Sequence, residues 1–215
     1  MKVAIVGSTG LIGSSLLKIL IESKEVESIF NLTRSASKIE SPKVKNIQID
    51  FDKLESTDSI FSCDVVYCCL GTTIKIAKSK EAFKKVDFTY IVNSAIAAKK
   101  QGVKKFLVVS ALGVDANSPI FYNQVKGETE NALKQIGFES LQIYRPSLLL
   151  GDRKEFRIGE EIGNFIGNAF SFAFIGDLKK YKPIHVDKIA KAMFQGSLTR
   201  SKPIEIIESD EMNID

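Results

Sequence analysis

At 215 residues the chain has room for one well-buried α/β domain and little more. Its net charge of +4, from 30 basic against 26 acidic residues spread along the sequence, is too small and too dispersed to argue for nucleic acid as a partner. The longest apolar stretch near the end, 162–176, is too short and too rich in Gly and Asn to span a bilayer.

Taken in chain order, Met1-Lys2 leads straight into an apolar run, Val3–Val6, and no signal peptide is expected there. That first strand runs directly into Gly7-Ser-Thr-Gly10-Leu-Ile-Gly13, and a helix with an apolar face of Leu16, Leu17, Leu20 and Ile21 follows. A glycine-spaced turn between a strand and a helix suits a pyrophosphate. The first glycine permits the tight turn, the second lets backbone amides approach the anion, and the third lets helix and strand pack closely. Gly7, Ser8, Thr9, Gly10, Leu11 and Ile12 are therefore expected to bind a dinucleotide.

The second strand, Ser28–Thr33, ends at Thr33-Arg34. Readers of NAD place an acid there, about twenty residues past the glycines, to hold the ribose 2′-hydroxyl. Here no carboxylate is available and a guanidinium occupies the place of a 2′-phosphate partner, with Ser35 and Lys38 nearby. The cofactor expected is NADP. The third strand, Lys45–Ile49, leaves through Asp50-Phe51, which is either where an adenine ring is covered or a plain strand exit.

The fourth strand, Asp64–Cys69, lies in the run that holds all three cysteines, Cys63, Cys68 and Cys69. Their spacing fits no zinc pattern, and an odd number argues against a disulfide framework, so no metal and a reducing compartment are expected. Phe88, Ile91, Val92, Ala95 and Ile96 mark the next helix, and Lys105–Ser110 the fifth strand. Ser118-Pro119 reads as the capped start of a third helix that Gly137 closes. Gly127 in mid-helix hints at close packing. Leu141–Tyr144 and Pro203–Ile207 are the last strands. Asp187 reads as the N-cap of a final helix, beside a structural His185. Most strands are apolar on both faces, as in a parallel sheet covered by helices. The expected fold is a doubly wound α/β Rossmann sheet, one domain over residues 1–215.

Tyr122 and Lys126 lie four apart early in the third helix and share a face. A phenol titrates near pH ~10 when unperturbed, and a neighbouring ammonium favours its ionised form. Ser110 ends the fifth strand, where ligands of open α/β sheets bind, and its hydroxyl is expected to hold the same substrate oxygen as Tyr122.

Gly7-x-x-Gly10-x-x-Gly13, Ser110 and Tyr122-x-x-x-Lys126 together resemble the short-chain dehydrogenase/reductase superfamily. More narrowly, Cys68-Cys-Leu-Gly-Thr-Thr73, Lys85-Val-Asp-Phe88, Gln124-Val-Lys-Gly-Glu128, Arg145-Pro146 and Asp152-Arg-Lys-Glu-Phe-Arg-Ile-Gly-Glu160 resemble its atypical short members, the Tat-interactive-protein-like oxidoreductases. The resemblance implies NADPH at the carboxyl edge of the sheet. It implies that Leu70, Gly71 and Thr72 pass close to the cofactor and that Pro146, Ser147 and Leu148 line the nicotinamide. It implies catalytic roles for Ser110, Tyr122 and Lys126. Ser147 departs from the glycine common after that proline, and only about seventy residues follow Gly151, so the substrate pocket is expected to be small or open.

These readings converge on an NADPH-dependent oxidoreductase acting on a small carbonyl or alcohol. The alternative is a non-catalytic NADPH-binding regulatory or scaffold protein. A nucleotide-sugar epimerase is disfavoured for want of a substrate domain. The expected location is the cytoplasm. The expected partners are a small-molecule substrate and a second copy of the chain, while the apolar segment Phe165, Ile166, Phe170, Phe172, Phe174 and Ile175 reads as core packing, with a substrate-pocket wall or a subunit contact as the alternative. Arg153 and Arg157 are expected in ion pairs with Glu155, Glu160 or Glu161.

Overall fold

The computed structural model describes residues 1–56, 61–151, 180–199 and 202–213. Seven strands are β1 (Lys2–Val6), β2 (Ser28–Thr33), β3 (Val44–Gln48), β4 (Val65–Cys68), β5 (Lys105–Val109), β6 (Ser140–Arg145) and β9 (Ile204–Glu208). Each agrees with its sequence expectation to within one residue at either end. They form one sheet in the order β3-β2-β1-β4-β5-β6-β9, with every pairing parallel. The order reverses between β1 and β4, which is where an open α/β sheet leaves a crevice for ligands. A short parallel pair that the sequence did not suggest, β7 (Leu149–Leu150) with β8 (Ile184–His185), lies beyond β6.

The helices cover both faces, which is why the central strands β1, β4 and β5 are apolar on both sides, while the edge strands β3 and β9 carry polar residues. Leu16, Leu17 and Leu20 of α1 (Leu11–Glu22) share one core with Ile5, Tyr67 and Leu107. Ile91 and Ala95 of α4 (Ile91–Lys100) and Leu133 of α5 (Phe121–Ile136) share the other with Ala4, Val66 and Phe106. Two short helices precede α4, namely α2 (Ile74–Ala77) and α3 (Lys80–Lys84), and α6 (Val186–Leu198) joins α1 on its face. Between α3 and α4 the chain makes a wide π-helical turn, Lys85–Tyr90, where the sequence suggested a regular helix. Wide turns of this kind are rare and concentrate at functional positions.

Two helix starts differ from expectation. The helix after β5 begins at Phe121, with Ile120 as its N-cap and no side-chain cap. Ser118 instead accepts a hydrogen bond from Ile120 N at 3.1 Å, so the Ser-Pro pair closes a turn ahead of the helix. The N-cap of α6 is His185 rather than Asp187, because the strand pairing of β8 keeps the chain extended until His185. Its Nδ1 accepts from Asp187 N at 3.4 Å, and the Asp187 carboxylate accepts from Ser15 Oγ at 2.5 Å. Gly137 closes α5 in the left-handed conformation, as expected. Gly127 is needed for packing: a Cβ there would lie 2.2 Å from Ala116 N.

All three cysteines are free, and burial pushes the thiols of Cys63 and Cys68 up to about 12. No helix among the described residues is long and apolar enough to cross a membrane. The Phe-rich segment 165–175 and the arginines at 153 and 157 lie outside the described residues.

Candidate cofactor and catalytic site

The expected site residues gather at the carboxyl ends of strands β1 to β6, on the loops that follow them and on α1 and α5, with Thr33 the last residue of β2. Gly7 follows β1 with φ +86, and a Cβ there would lie 2.7 Å from the Cys69 carbonyl after β4. A Cβ on Gly13 would lie 2.2 Å from Gly7 O, so the first helical turn can close over the loop only with glycine. Gly10 differs. A Cβ there would meet nothing nearer than 3.4 Å, so the protein itself does not demand this glycine. What a side chain would fill is the open cradle in front of α1. That helix has no side-chain cap and no acid in its first turn, which leaves N–H groups and the positive end of its dipole for an anion. Thr9 is exposed and Leu11 half-buried beside this cradle, while Ile12 is buried. Ser8 is buried and donates its hydroxyl to Asn31 Oδ1 at 2.6 Å, so only its backbone faces the cradle's chemistry.

On the other side of β1, Arg34, Gln48, Ile49, Asp50, Phe51, Asp52 and Tyr90 line a cavity of about 340 Å³. Arg34 is exposed at its rim, and its main-chain carbonyl accepts from Gln48 Nε2 at 3.1 Å. Thr33 is buried and donates to Ser35 O at 2.8 Å. Phe51 sits against Tyr90 with ring centroids 5.2 Å apart. Asp52 lies 2.9 Å from Lys85, whose ammonium holds the Asp52 carboxyl below its ordinary value. One of the two carboxylates lining the cavity is thus already paired. The cavity thus joins apolar residues, Ile49, Phe51 and Tyr90, to a guanidinium at its rim.

The catalytic candidates fall into two groups. In the first, Lys126 is buried in α5 and its Nζ lies 2.7 Å from Asp87 Oδ1. Asp87 is delivered by the π turn and is fully buried, and its Oδ2 accepts from Thr72 N at 2.9 Å. A Cβ on Gly71 would lie 3.5 Å from Asp87 Oδ1 and 3.6 Å from Lys126 Nζ, so the Gly71-Thr72 backbone rests against the pair. Leu70 packs against the core just before it. Tyr122 lies one turn before Lys126 with its ring 5.3 Å from that of Phe83. Burial raises the Tyr122 phenol above its ordinary value; Lys126 pulls it down and Asp87 pushes it up. The expectation of a lowered phenol is therefore corrected, because burial outweighs the lysine charge, which also arrives together with a carboxylate. Burial works against the Lys126 proton, yet Asp87 and Tyr122 hold its ammonium above the usual lysine value.

In the second group, Ser110 donates to Glu130 Oε1 at 2.6 Å, and Arg145 clamps the same carboxylate through Nε at 2.9 Å and Nη2 at 2.5 Å. The hydroxyl expected to donate to a substrate oxygen is thus committed inward. Burial is the physical reason: Ser110 and Glu130 are both almost fully buried, and a carboxylate there needs donors. Pro146 O accepts from Leu112 N at 2.9 Å and Leu148 O from Ile184 N at 2.9 Å. Ser147 Oγ donates to Lys182 O at 2.5 Å and accepts from Ser209 Oγ at 2.9 Å, tying the loop after β6 to the C-terminal segment.

Asp87 and Glu130 were not picked out from sequence as members of the site. Glu130 had a signal that went unread: Tyr122, Lys126 and Glu130 repeat every four residues along one face of α5. Asp87 lies inside the Lys85–Phe88 segment that carried the family resemblance, but no spacing rule pairs it with Lys126.

A glycine loop before an uncapped helix, at the reversal point of a parallel sheet, defines a Rossmann-type dinucleotide-binding protein. The chain belongs to the NAD(P)H-binding family, whose pattern matches residues 7–174. "Protein FMP52, mitochondrial" of Candida albicans is 36% identical over 202 residues, covering 89% of this chain and 85% of that protein. "Protein HTATIP2" of Rattus norvegicus is 36% identical over 162 residues, covering 74% of this chain and 66% of that protein. Among solved structures, MoeE5 in complex with UDP-glucose and NAD shares the fold with a TM-score of 0.73 at 16% identity, covering 99% of this chain and 79% of that one. The oxidoreductase ylbE from Lactococcus lactis does so with a TM-score of 0.69 at 21% identity, covering 96% and 89%. The resemblance to the atypical short-chain dehydrogenases holds. The cytoplasmic expectation does not: relatives from Candida albicans and Meyerozyma guilliermondii are named as mitochondrial. That expectation rested on cysteine usage and on the pattern at the N-terminus, and free thiols do not distinguish one reducing compartment from another.

Proposed function

We propose that the chain is an NADPH-dependent oxidoreductase of the short-chain dehydrogenase/reductase type, acting on a small carbonyl or alcohol. The observation that carries this reading is Lys126, one turn after Tyr122 on α5, lying against Gly71 in the loop after β4, the loop that also meets Gly7 of the phosphate loop. The backbone of Gly7, Ser8, Thr9, Gly10, Leu11 and Ile12 would hold the pyrophosphate, Arg34 the 2′-phosphate beside Thr33, and Asp50 and Phe51 the adenine side. Leu70, Gly71 and Thr72, with Pro146, Ser147 and Leu148, would flank the nicotinamide end. When bound, NADPH supplies the hydride.

The chain's own part is proton and charge management. Lys126 commits one of its three N–H donors to Asp87 and offers the others to ribose hydroxyls. Tyr122 gives a proton to the substrate oxygen in the reducing direction, and its raised pKa keeps that proton in place at neutral pH. Ser110, having donated to Glu130, keeps lone pairs that can accept a hydrogen bond from a substrate hydroxyl or from Tyr122.

A second reading has its own observation. The inward commitment of Ser110 and the raised phenol also suit a protein that binds NADPH without turning it over, in a regulatory or scaffold role. Measuring NADPH oxidation by the purified chain across a panel of aldehydes and ketones separates the two. Steady turnover abolished by Tyr122→Phe supports the enzyme; tight binding with no turnover supports the second reading. The mitochondrial names of the fungal relatives lead us to propose a mitochondrial location as well, to be checked by fractionation of cells expressing the tagged chain.

A further inference from the structure

Asn31 stands in the middle of β2, fully buried, at a position where neighbouring strand residues are apolar. Asparagine is a poor strand former, and a buried amide left without partners is costly. Here all the partners come from two loops and one strand. Asn31 Oδ1 accepts from Ser8 Oγ of the phosphate loop at 2.6 Å. Asn31 Nδ2 donates to Asn46 Oδ1 on β3 at 2.8 Å and to Ser37 Oγ at 3.3 Å. Asn46 passes the connection on, its Nδ2 donating to Ile39 O at 2.8 Å, and Ser37 Oγ accepts from Ile39 N at 3.4 Å.

Ser37 and Ile39 belong to the stretch 34–43, which links β2 to β3 without helix or strand of its own. Arg34 is the first residue of that stretch. Its far end is anchored by Lys43, whose Nζ donates to Ser23 O at 2.5 Å and whose carbonyl accepts from Ile29 N at 2.8 Å, and Ile39 packs partly against the core; the part next to Arg34 is held by side chains reaching out of the two strands. One buried amide therefore grips both the loop that fits the pyrophosphate and the loop that presents the guanidinium. The pyrophosphate and the 2′-phosphate of NADPH hang on the same adenosine ribose, which limits their separation, so the two loops must be held in register to be used together.

We propose that Asn31 is a positioning residue. It fixes the Arg34 loop against the phosphate loop and thereby sets the preference for NADPH over NADH. The proposal rests on the reading of Arg34 as the partner of the 2′-phosphate, and its test separates the two. Calorimetric titration of NADPH and NADH gives the affinity ratio for the parent chain and for Arg34→Ala, Asn31→Leu and Asn46→Ala, with circular dichroism to establish folding. Asn46 is exposed, so its variant reports on the loop even where Asn31→Leu fails to fold. The expected result is that Asn31→Leu and Asn46→Ala each shrink the parent ratio about fivefold or more, through loss of NADPH affinity. A loosened fold without this positioning role would weaken both nucleotides alike and leave the ratio in place. If the parent shows a preference that Arg34→Ala removes, while the folded Asn31 and Asn46 variants retain it, the positioning role is overturned and the Arg34 reading stands. If the parent shows no preference, both fall.

Discussion

Lys126 Nζ meets Asp87 Oδ1 at 2.7 Å inside the protein, with Thr72 N bonded to the other oxygen of the same carboxylate at 2.9 Å. The positive charge that a Tyr-x-x-x-Lys spacing would lend to the phenol is here shared with an acid whose charge solvent cannot screen, because the Asp87 side chain has no exposed surface. Asp87 joins the loop after β4 to α5 and so shapes the place where the reactive end of a cofactor would rest.

Removing one member of a buried pair strands the other. Asp87→Asn should cost about 3–5 kcal/mol of stability in urea unfolding. Lys126→Met alone should also be costly, and the Asp87→Asn/Lys126→Met double variant should lose less than the sum of the two. Strict additivity would show that the two groups are not coupled.

The same pair predicts an alkaline limit. The Lys126 ammonium lies above its ordinary value in the folded chain, so its contribution to stability is whole below the unfolded lysine value and is lost as pH rises through the folded one. The thermal midpoint of the parent should therefore fall above about pH 10.4 more steeply than that of Lys126→Met. Parallel curves for the two would remove the basis for this.

Arg34→Ala should weaken NADPH by about 1.5–3 kcal/mol, tenfold or more, and leave NADH nearly unchanged. Calorimetry with both nucleotides checks it, and an equal loss for the two would mean that the guanidinium does not contact the 2′-phosphate.

Tyr122→Phe should keep NADPH affinity within about twofold, since the ring still packs on Phe83, while abolishing turnover. Lys126→Met should weaken binding as well. In the direction of alcohol oxidation the rate of the parent should keep rising toward alkaline pH, because the phenol lies above its ordinary value. A plateau near neutrality would contradict that.

The strands were legible because β-branched and apolar runs separated by Gly, Asn and Ser mark a buried parallel sheet, and each was found within a residue of its place. The phosphate loop was legible because two of its glycines are forced by close backbone contacts, Gly13 within the loop and Gly7 against Cys69, and the third keeps the spacing. Asp87 was not, because an acid in an amphipathic run reads as solvent-facing, and only the wide turn at 85–90 directs it inward. Ser110 was placed on the right edge, but its partner Glu130 lies 20 residues on, and no local pattern says which way a hydroxyl will donate. The start of α5 was missed for a similar reason: Ser-Pro serves a turn as readily as a cap, and which one forms depends on how the preceding loop packs.

The π turn at Lys85–Tyr90 holds local preference and site geometry in opposition. A regular helix advances roughly 100° per residue, so deleting a single residue there would let α3 and α4 merge into one regular helix while swinging Asp87 out of line with Lys126. The conflict is a point of local frustration inside an otherwise consistent fold, and the chain tolerates it only as long as the buried carboxylate finds its lysine.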